Sequence, residues 1–389
     1  MFQIFVASPV LLYTGSLFII SLLVYLAISL TIYWRPYFRA RSLDRLTPPS
    51  DQELPGVSVI VYSYNQAEYL QRNIPILLAS DYPDFEVIVV DDGSNDDTEE
   101  VLTIIEQRSD AFYHTRLDQG VRTVSRRKLA LLLGIKAARH EVLLFTHAQC
   151  VPTSPQWIRS MVRHLSTGVG VVLGPVAMED RVGLMSRFYA FDVFHRMLRV
   201  LGLTLALRPY AGCGMNMAMR KSLFYEVDGF RKHLNLHPGE DDLLVAEAGT
   251  RGGLAVECSA SSVVVSQERP MGYGWRLLRQ NRGFTSRFYP LFPQLLDGID
   301  VCARMLFVVS GIVLLFLLWE LWIPFSIVAV ILLLRALHQM LLYRITSSRL
   351  KMHRFFFSSL AFEPIIPFVD LYFRLYGMIR HKGFEVGRI

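Results

Sequence analysis

The sequence predicts an α/β fold, a mostly parallel sheet with helices on both faces, joined to transmembrane helices. Three observations predict it. Between Val57 and Phe145, short β-branched runs ending in polar residues alternate with helical stretches, the pattern of parallel strands joined by crossover helices. Met1 to Trp34 contains no Asp, Glu, Lys or Arg. A second apolar block runs from Met305 to Leu334. At 389 residues and 52% hydrophobic, the chain has room for a globular domain, and its excess of apolar residues belongs in lipid.

The first block, Val10 to Tyr33, is long enough to span, since about 20 apolar residues suffice. It lacks the early positive charge and the short apolar core of a cleaved signal peptide, so it reads as a retained anchor. Arg35, Arg39, Arg41 and Arg45 follow it and place the next domain in the cytoplasm. Tyr33, Trp34 and Tyr37 fit an interfacial aromatic belt. The second block is interrupted by Glu320 and Pro324. A single helix over it would be about 45 Å long, against a hydrocarbon core of about 30 Å. Two spans, turning at Trp319, Glu320 and Trp322, fit better than one tilted helix, and Arg304 and Arg335 would then snorkel to the inner face. The expected division is 1–46 as anchor and basic flank, 47–290 as cytoplasmic domain, and 291–389 as a transmembrane hairpin (about 303–342) with a basic tail containing Arg344, Arg349, Lys351 and Arg354. Met185 to Arg208 and Phe355 to Arg380 mix aromatic and basic residues. Both are expected to lie in the headgroup plane, with an ordinary core helix as the alternative for the first.

The net charge is +6. It gathers beside the apolar blocks, with no zinc-finger pattern and no basic tail apart from them, which favours a membrane surface over nucleic acid as partner. Cys150, Cys213, Cys258 and Cys302 stand far apart without a CxxC pair. They read as free thiols in a reducing compartment rather than a disulfide framework or zinc site.

In the domain, Thr47 to Gly56 with its three prolines is a linker. Strands are expected at "VSVIVYSYN" (Val57 to Asn65), Phe85 to Val90 and Glu141 to Phe145, and helices at Ala67 to Leu78, from Thr98 onward and at Ser125 to Ala138. Ligands collect beyond the carboxyl ends of such strands. Tyr64 and Asn65, Asp91 and Asp92, and His147 to Gln149 all fall there, so one cleft should gather them. Asp91 and Asp92 are acceptors for a base edge, a ribose or a metal; "DDGSNDD" also reads simply as a solvated acidic loop. Neither GxGxxG nor GxxxxGK[ST] is present, which disfavours hydride transfer and P-loop chemistry. Farther on, Gly212, Cys213 and Gly214 suit close backbone approach to a ligand, and Asn216 offers an amide. "GEDDLLV" places Glu240, Asp241 and Asp242 before an apolar helix. They can cap it or supply a base for an attacking hydroxyl. "WRLLRQNRGF" brings Arg276, Arg279, Gln280 and Arg282, suited to a diphosphate or to lipid headgroups.

Taken in order, "VSVIVYSYN", "VIVVDDGSNDDT", "RRKLALLLGIKAARHEVLLFTHAQCVP", "GCGMNMAMRKSLFYEVDGF", "GEDDLLV" and "RQNRGF" resemble the membrane-anchored family-2 glycosyltransferases of the processive, polysaccharide-synthase-like kind. The resemblance covers about Val57 to Arg287. It implies a GT-A nucleotide-diphospho-sugar transferase fold and inverting transfer from a UDP- or GDP-sugar to a glycan or lipid-linked acceptor. It further implies an inner-membrane location, with a second copy or an envelope-assembly partner. Asp241 maps to the base, with Glu240 and Asp242 beside it. Tyr64, Asn65, Asp91, Asp92, Lys128, His147, Gln149, Gln280 and Arg282 map to the donor site.

The chain departs from the family twice. The metal motif Asp-x-Asp is His147-Ala148-Gln149. The Gln-x-x-Arg-Trp segment is Gln280-Asn281-Arg282-Gly283-Phe284, one residue out of register and without the Trp. Magnesium and manganese favour carboxylate oxygens. His147 alone is a weak metal ligand and Gln149 a poor partner. Without the metal, Arg126, Arg127, Lys128, Arg279 or Arg282 must balance the leaving diphosphate. Two readings follow: a transferase that is metal-independent or has altered metal preference, or a catalytically impaired relative that binds nucleotide sugar or scaffolds polysaccharide assembly. A transporter is disfavoured, since three spans show no internal repeat.

Overall fold

The computed structural model describes residues 9–43, 54–118, 124–165, 168–207, 210–269, 272–353 and 355–379. Arg45, Arg354 and most of the Thr47–Gly56 linker lie outside the described residues.

The chain opens with helices α1 (Pro9–Ile28) and α2 (Arg35–Leu43), joined by a π-helical turn at Ser29–Tyr33. The domain then runs β1 (Val57–Ser63), α3 (Ala67–Leu78), β2 (Phe85–Asp91), α4 (Thr98–Glu106), β3 (Phe112–Arg116), α5 (Arg126–Ala137) and β4 (Val142–His147). It continues with β5 (Cys150–Pro152), α6 (Trp157–Val162), β6 (Val171–Leu173), β7 (Val176–Met178), α7 (Leu184–Ala206), β8 (Met217–Arg220), α8 (Lys221–Glu226), α9 (Asp242–Gly252), β9 (Leu254–Val256) and β10 (Val264–Ser266). Helices α10 (Gly272–Thr285), α11 (Leu291–Leu317), α12 (Trp322–Arg349), α13 (Phe357–Phe362) and α14 (Ile366–Ile379) complete the described chain.

The main sheet has the order β3-β2-β1-β4-β8-β6-β9. Strands β3, β2, β1 and β4 are parallel, while β8 runs antiparallel to both β4 and β6. Successive residues of β1 and β2 serve opposite faces, as the two-residue repeat of a strand requires. Val57, Val59, Val61, Val87 and Val89 pack with Leu70, Ile74 and Leu102 on one side. Ile60, Ile88 and Val90 pack with Leu131, Ile135 and Phe191 on the other. Both faces are covered, which is why these strands read as continuous apolar runs. Each such side chain stabilises the fold by roughly 1.5–3 kcal/mol when fully buried. The strand order reverses between β1 and β4, and Ser63 pairs with Asp91 while Tyr62 pairs with His147. The carboxyl ends of β1, β2 and β4 therefore meet at one crevice.

Three helical segments are long and apolar enough to cross a membrane: Pro9–Leu43, Leu291–Leu317 and Trp322–Arg349. The second apolar block is two helices, with the turn at Leu318–Leu321 and Trp319 and Trp322 exposed on either side of it. Phe18 stacks on Phe307 at 4.8 Å between α1 and α11.

Two expectations for this region need correction. Met185 to Arg208 does not present an apolar face outward; α7 is buried along most of its length, including Phe191, Asp192, Phe194, Leu198 and Leu201. It packs on the π-helical turn so closely that a Cβ on Gly202 would fall 2.3 Å from the Ile32 carbonyl oxygen. Nor do Arg304 and Arg335 snorkel. Arg304 turns inward to Asp300 (2.9 Å) and Glu363 (2.5 Å), and Arg335 donates twice to Glu363 (2.7 and 2.6 Å). A buried carboxylate that accepts three guanidinium bonds outcompetes the interface, because a cation in that environment is costly unless paired. A second buried group joins Arg199 to Asp370 (2.9 Å) and Asp297 (3.0 Å), and Arg279 to Asp192 and Asp370. The stretch from Phe355 contains α13 and α14, and the outer residues Leu371, Tyr372, Leu375 and Met378 of α14 are exposed; Arg380 lies outside the described residues.

Candidate active site

The crevice deepens into a cleft of about 240 Å³ lined by Arg127, His147, Gln149, Arg196, Cys213, Glu240, Asp241, Asp242, Glu268, Asn281 and Arg282 among others. It lies between the carboxyl end of β4, the amino end of α9 and the inner face of α10.

One wall is carboxylate. Asp241 is the N-cap of α9: Oδ1 accepts the Asp242 N–H (2.8 Å), while Oδ2 accepts the Gly214 N–H (3.0 Å) from the facing loop. A Cβ on Gly214 would stand 3.3 Å from Asp241 Cβ, a tight contact. Asp242 is buried and Oδ2 accepts from Thr285 Oγ1 (2.6 Å) and from the Tyr289 hydroxyl. Burial, with the Asp241 charge beside it, pushes the Asp242 carboxyl upward. Asp242 thus joins α9 to the end of α10, while Asp241 is left facing the cleft. Glu240 is also pushed upward by burial, against the opposing pull of Arg127. Its Oε1 lies 2.8 Å from Arg127 Nε, an ion pair without hydrogen-bond alignment.

The opposite wall is cationic. Arg282 projects from α10, and Nη1 is buried without a hydrogen-bond partner among the described residues. Burial first, and then neighbouring Arg196, lower its pKa to about 10. Neither Arg196 nor Glu268 stands out in the sequence as a site residue; Arg196 faces the cleft from the segment that reads as a membrane-surface helix, and Glu268 from a segment that carries no motif. Gln280 is on α10 but does not line the cleft, whereas its neighbour Asn281 does. Packing fixes the glycine that follows: a Cβ on Gly283 would fall 2.3 Å from the Phe373 carbonyl oxygen, and Gly377 meets Gly283 across the same contact. Helix α10 lies directly on α14, where a larger residue has no room.

Asp91, Asp92, Tyr64 and Asn65 sit at the ends of β2 and β1, beyond the cleft lining. Asp91 accepts the Ser94 N–H (3.0 Å), Asn65 Oδ1 accepts the Asn95 N–H (2.8 Å), and Tyr64 is exposed. The backbone of Asn65 has φ 52°, a conformation in which Asn is enriched. Asp92 accepts from the Tyr62 hydroxyl (2.8 Å), and Arg126 Nη2 lies 2.9 Å from its Oδ1. Burial nonetheless pushes its carboxyl upward. Tyr62 connects this end to the cleft, because its ring carries the Arg127 guanidinium at 4.7 Å.

Lys128, expected at the donor, is placed elsewhere. It is fully buried, and Nζ donates to the carbonyls of His233 (2.6 Å), Leu236 (3.0 Å) and Pro238 (2.8 Å). An ammonium has three hydrogens, and all three are used to hold the 233–238 loop that leads into Glu240. Burial lowers its pKa to about 8. Arg279 is likewise engaged with Asp192 and Asp370.

His147 ends β4, and Nε2 lies 2.6 Å from Arg127 Nη2. A guanidinium can only donate, so Nε2 is the acceptor and the imidazole is neutral. Burial, and then Arg127, hold its pKa well below the usual histidine value. Gln149 Oε1 accepts from Gln66 Nε2 (3.0 Å). Among the described residues, no group of three or more His, Cys, Asp and Glu could hold a metal ion. At the position where the resemblance expects a divalent cation, the residues do not fit one.

Residues 58–227 match the model for glycosyl transferase family 2. Over that stretch the chain is similar to the family-2 glycosyltransferases. A poly-beta-1,6-N-acetyl-D-glucosamine synthase of Staphylococcus epidermidis is 27% identical over 142 residues, 34% of this chain and 33% of that protein. A glycosyltransferase of Haloferax volcanii is 35% identical over 126 residues, 32% of this chain and 40% of that one. The chain thus spans about a third of the length of the curated relatives it matches first. Among solved structures, a mannosyltransferase from Pyrobaculum calidifontis in complex with GDP-Man and Mn2+ is similar over 93% of this chain and 99% of that one, with TM-score 0.58 and 18% identity. That likeness establishes the GT-A fold and extends it across the family-2 domain and the flanking helices.

Proposed function

We propose that the protein is an inverting glycosyltransferase, acting at the cytoplasmic face of a cell membrane in polysaccharide biosynthesis and needing no divalent metal. The donor is a UDP- or GDP-sugar and the acceptor a hydroxyl of a glycan or lipid-linked sugar. One observation carries this reading: the Asp241 carboxylate, held by two backbone N–H groups, faces a cleft whose other walls carry Arg127, Arg196 and Arg282. Base and cations then flank a single reacting centre, as sugar transfer requires.

The step balances as a single displacement. The acceptor oxygen forms a bond to the anomeric carbon while its proton passes to Asp241. The bond from that carbon to the diphosphate breaks, and the nucleoside diphosphate leaves with the electron pair. Fixed guanidinium groups in a partly enclosed cleft stabilise the charge that develops on it. Asp92, Tyr62 and the ends of β1 and β2 supply the acceptors and ring suited to the nucleoside. The multi-pass membrane placement rests on the three apolar helices and the arginines that follow the first one.

The test uses the full chain purified in detergent. Nucleoside diphosphate release is followed over a panel of UDP- and GDP-sugars, with glycan and lipid-linked acceptors, in excess EDTA and in Mn2+. Turnover that survives EDTA is expected. Absence of turnover with every donor, in either medium, would remove the transferase reading.

A further inference from the structure

We propose that the Arg127 guanidinium takes the place of the divalent cation in this chain, holding the donor diphosphate from the position a metal would occupy. The inference rests on the donor being a nucleoside-diphosphate sugar and goes beyond metal independence by naming the group responsible.

The position is already filled. A metal on His147 would bind through a ring nitrogen at about 2.0–2.1 Å. Nε2 instead receives the Arg127 Nη2 hydrogen at 2.6 Å. The imidazole cannot serve both, because its one lone pair is committed. Gln149 brings a neutral amide whose oxygen already accepts from Gln66. Each of the two residues at the motif is therefore bound within the protein.

The guanidinium is also fixed as a ligand-binding cation should be. Three neighbours hold it: His147 at Nη2, Glu240 2.8 Å from Nε, and the face of Tyr62 at 4.7 Å. The side chain keeps 34% of its exposure, and the cleft is what it faces. A planar guanidinium matches phosphate oxygens better than a point charge does. Ordering an arginine normally costs rotamer entropy; here that cost has been met in folding. The ring beneath it adds a cation–π attraction that survives any change in the ligand.

His147 and Gln149 also acquire a reason. Acidic residues at 147 and 149 would add further negative charge to the Glu240 carboxylate that already pairs with Arg127 and would withdraw that arginine from the diphosphate. A neutral acceptor at 147 orients the guanidinium without adding a second counter-charge. Motif and arginine form one replacement, so returning the motif alone should not return metal chemistry.

Two readouts test this, and neither requires turnover. In the first, calorimetry measures binding of UDP or GDP, and of the parent nucleoside, to the full chain in detergent. Wild-type affinity for the diphosphate is expected to be the same in EDTA and in Mn2+. Arg127→Met is expected to weaken the diphosphate by about tenfold to a hundredfold, the scale of a lost charge-assisted hydrogen-bond pair, and to leave the nucleoside unchanged. Should Arg127→Met lose nucleoside binding as well, Arg127→Lys decides: retained nucleoside affinity with weakened diphosphate supports the proposal, and full diphosphate affinity overturns it. In the second readout, electron paramagnetic resonance follows Mn2+ in the presence of the same diphosphate. His147→Asp with Gln149→Asp should bind no Mn2+, whereas adding Arg127→Met should create a site. Mn2+ bound equally by the double and triple variants, or diphosphate affinity in wild type that requires Mn2+, overturns the proposal. A wild type that binds diphosphate without metal yet transfers no sugar leaves this inference standing and removes the transferase reading.

Discussion

Asp241→Asn isolates the proton-transfer step from everything else in the cleft. The amide is nearly isosteric, and the cations that face the diphosphate are untouched. What disappears is the basic oxygen. A positioned base contributes about 10²–10⁴-fold, which at 1.36 kcal/mol per decade is ~2.7–5.4 kcal/mol of barrier. The structure adds a second, separable cost. Asp241 accepts one N–H on each oxygen, from Asp242 and Gly214. An Asn can keep only one of these, since its NH2 would face the other donor. Losing a hydrogen bond to a charged group costs ~1.5–3 kcal/mol, so some loss of thermal stability is expected. The assay is single-turnover transfer from the best donor found in the panel, beside calorimetric binding of the nucleoside diphosphate and a melting curve in detergent. The expected variant is folded, binds the diphosphate within a few-fold of wild type and turns over at least about a hundredfold more slowly. A folded Asp241→Asn that keeps a third or more of the wild-type rate would refute Asp241 as the base. Glu240→Gln sharpens the comparison, because Glu240 is tied to Arg127 and should alter diphosphate binding more than proton transfer.

Two further predictions concern the scaffold. Glu363 accepts three hydrogen bonds from Arg304 and Arg335, so Glu363→Gln should leave a buried guanidinium uncompensated and lower stability by ~3–5 kcal/mol; a melting temperature in detergent within 1 °C of wild type would contradict this. Burial works to raise the Glu257 pKa, but hydrogen bonds from His164 and Arg163 hold it below the ordinary carboxylate value. A lowered folded-state pKa gives stability that is present above the unfolded value and is lost as pH falls through the folded one. Acid unfolding should therefore set in below about pH 4.5, and Glu257→Gln should flatten that limb of the melting-temperature profile between pH 3 and 6.

Strands β1, β2 and β4 are legible because a strand buried on both faces has to be a short apolar run, and its polar end has to lie at the crevice; β3, fully buried only at Phe112, is not. The three-residue strands β5, β6, β7, β9 and β10 carry too few residues to impose a period in the sequence. Helix α7 misled for a physical reason: aromatic and basic residues in one stretch suit a bilayer surface, and equally suit burial when Asp297 and Asp370 arrive from distant segments to pair with Arg199. Arg126, Arg127 and Lys128 show the limit most sharply. They are adjacent in sequence and identical in charge, yet each step along a helix turns the side chain by about 100°. Arg126 consequently reaches Asp92, Arg127 reaches His147 and Glu240, and Lys128 reaches the carbonyls of the 233–238 loop. Sequence names three candidates for one task, and only the direction of each side chain separates them.

The contact between α10 and α14 changes what the apolar segments are for. Arg282 and Asn281 belong to a helix whose Gly283 touches the backbone of Phe373 and whose Arg279 is clamped partly by Asp370. A fragment cut at residue 290 would keep every carboxylate of the cleft and the whole of the nucleoside end. It would lose the surface against which α10 is pressed, and Arg279 would keep only Asp192. The helices that follow the domain are then one support of the cleft and not merely an attachment, so trimming the chain at that point is expected to displace Arg282 and Asn281.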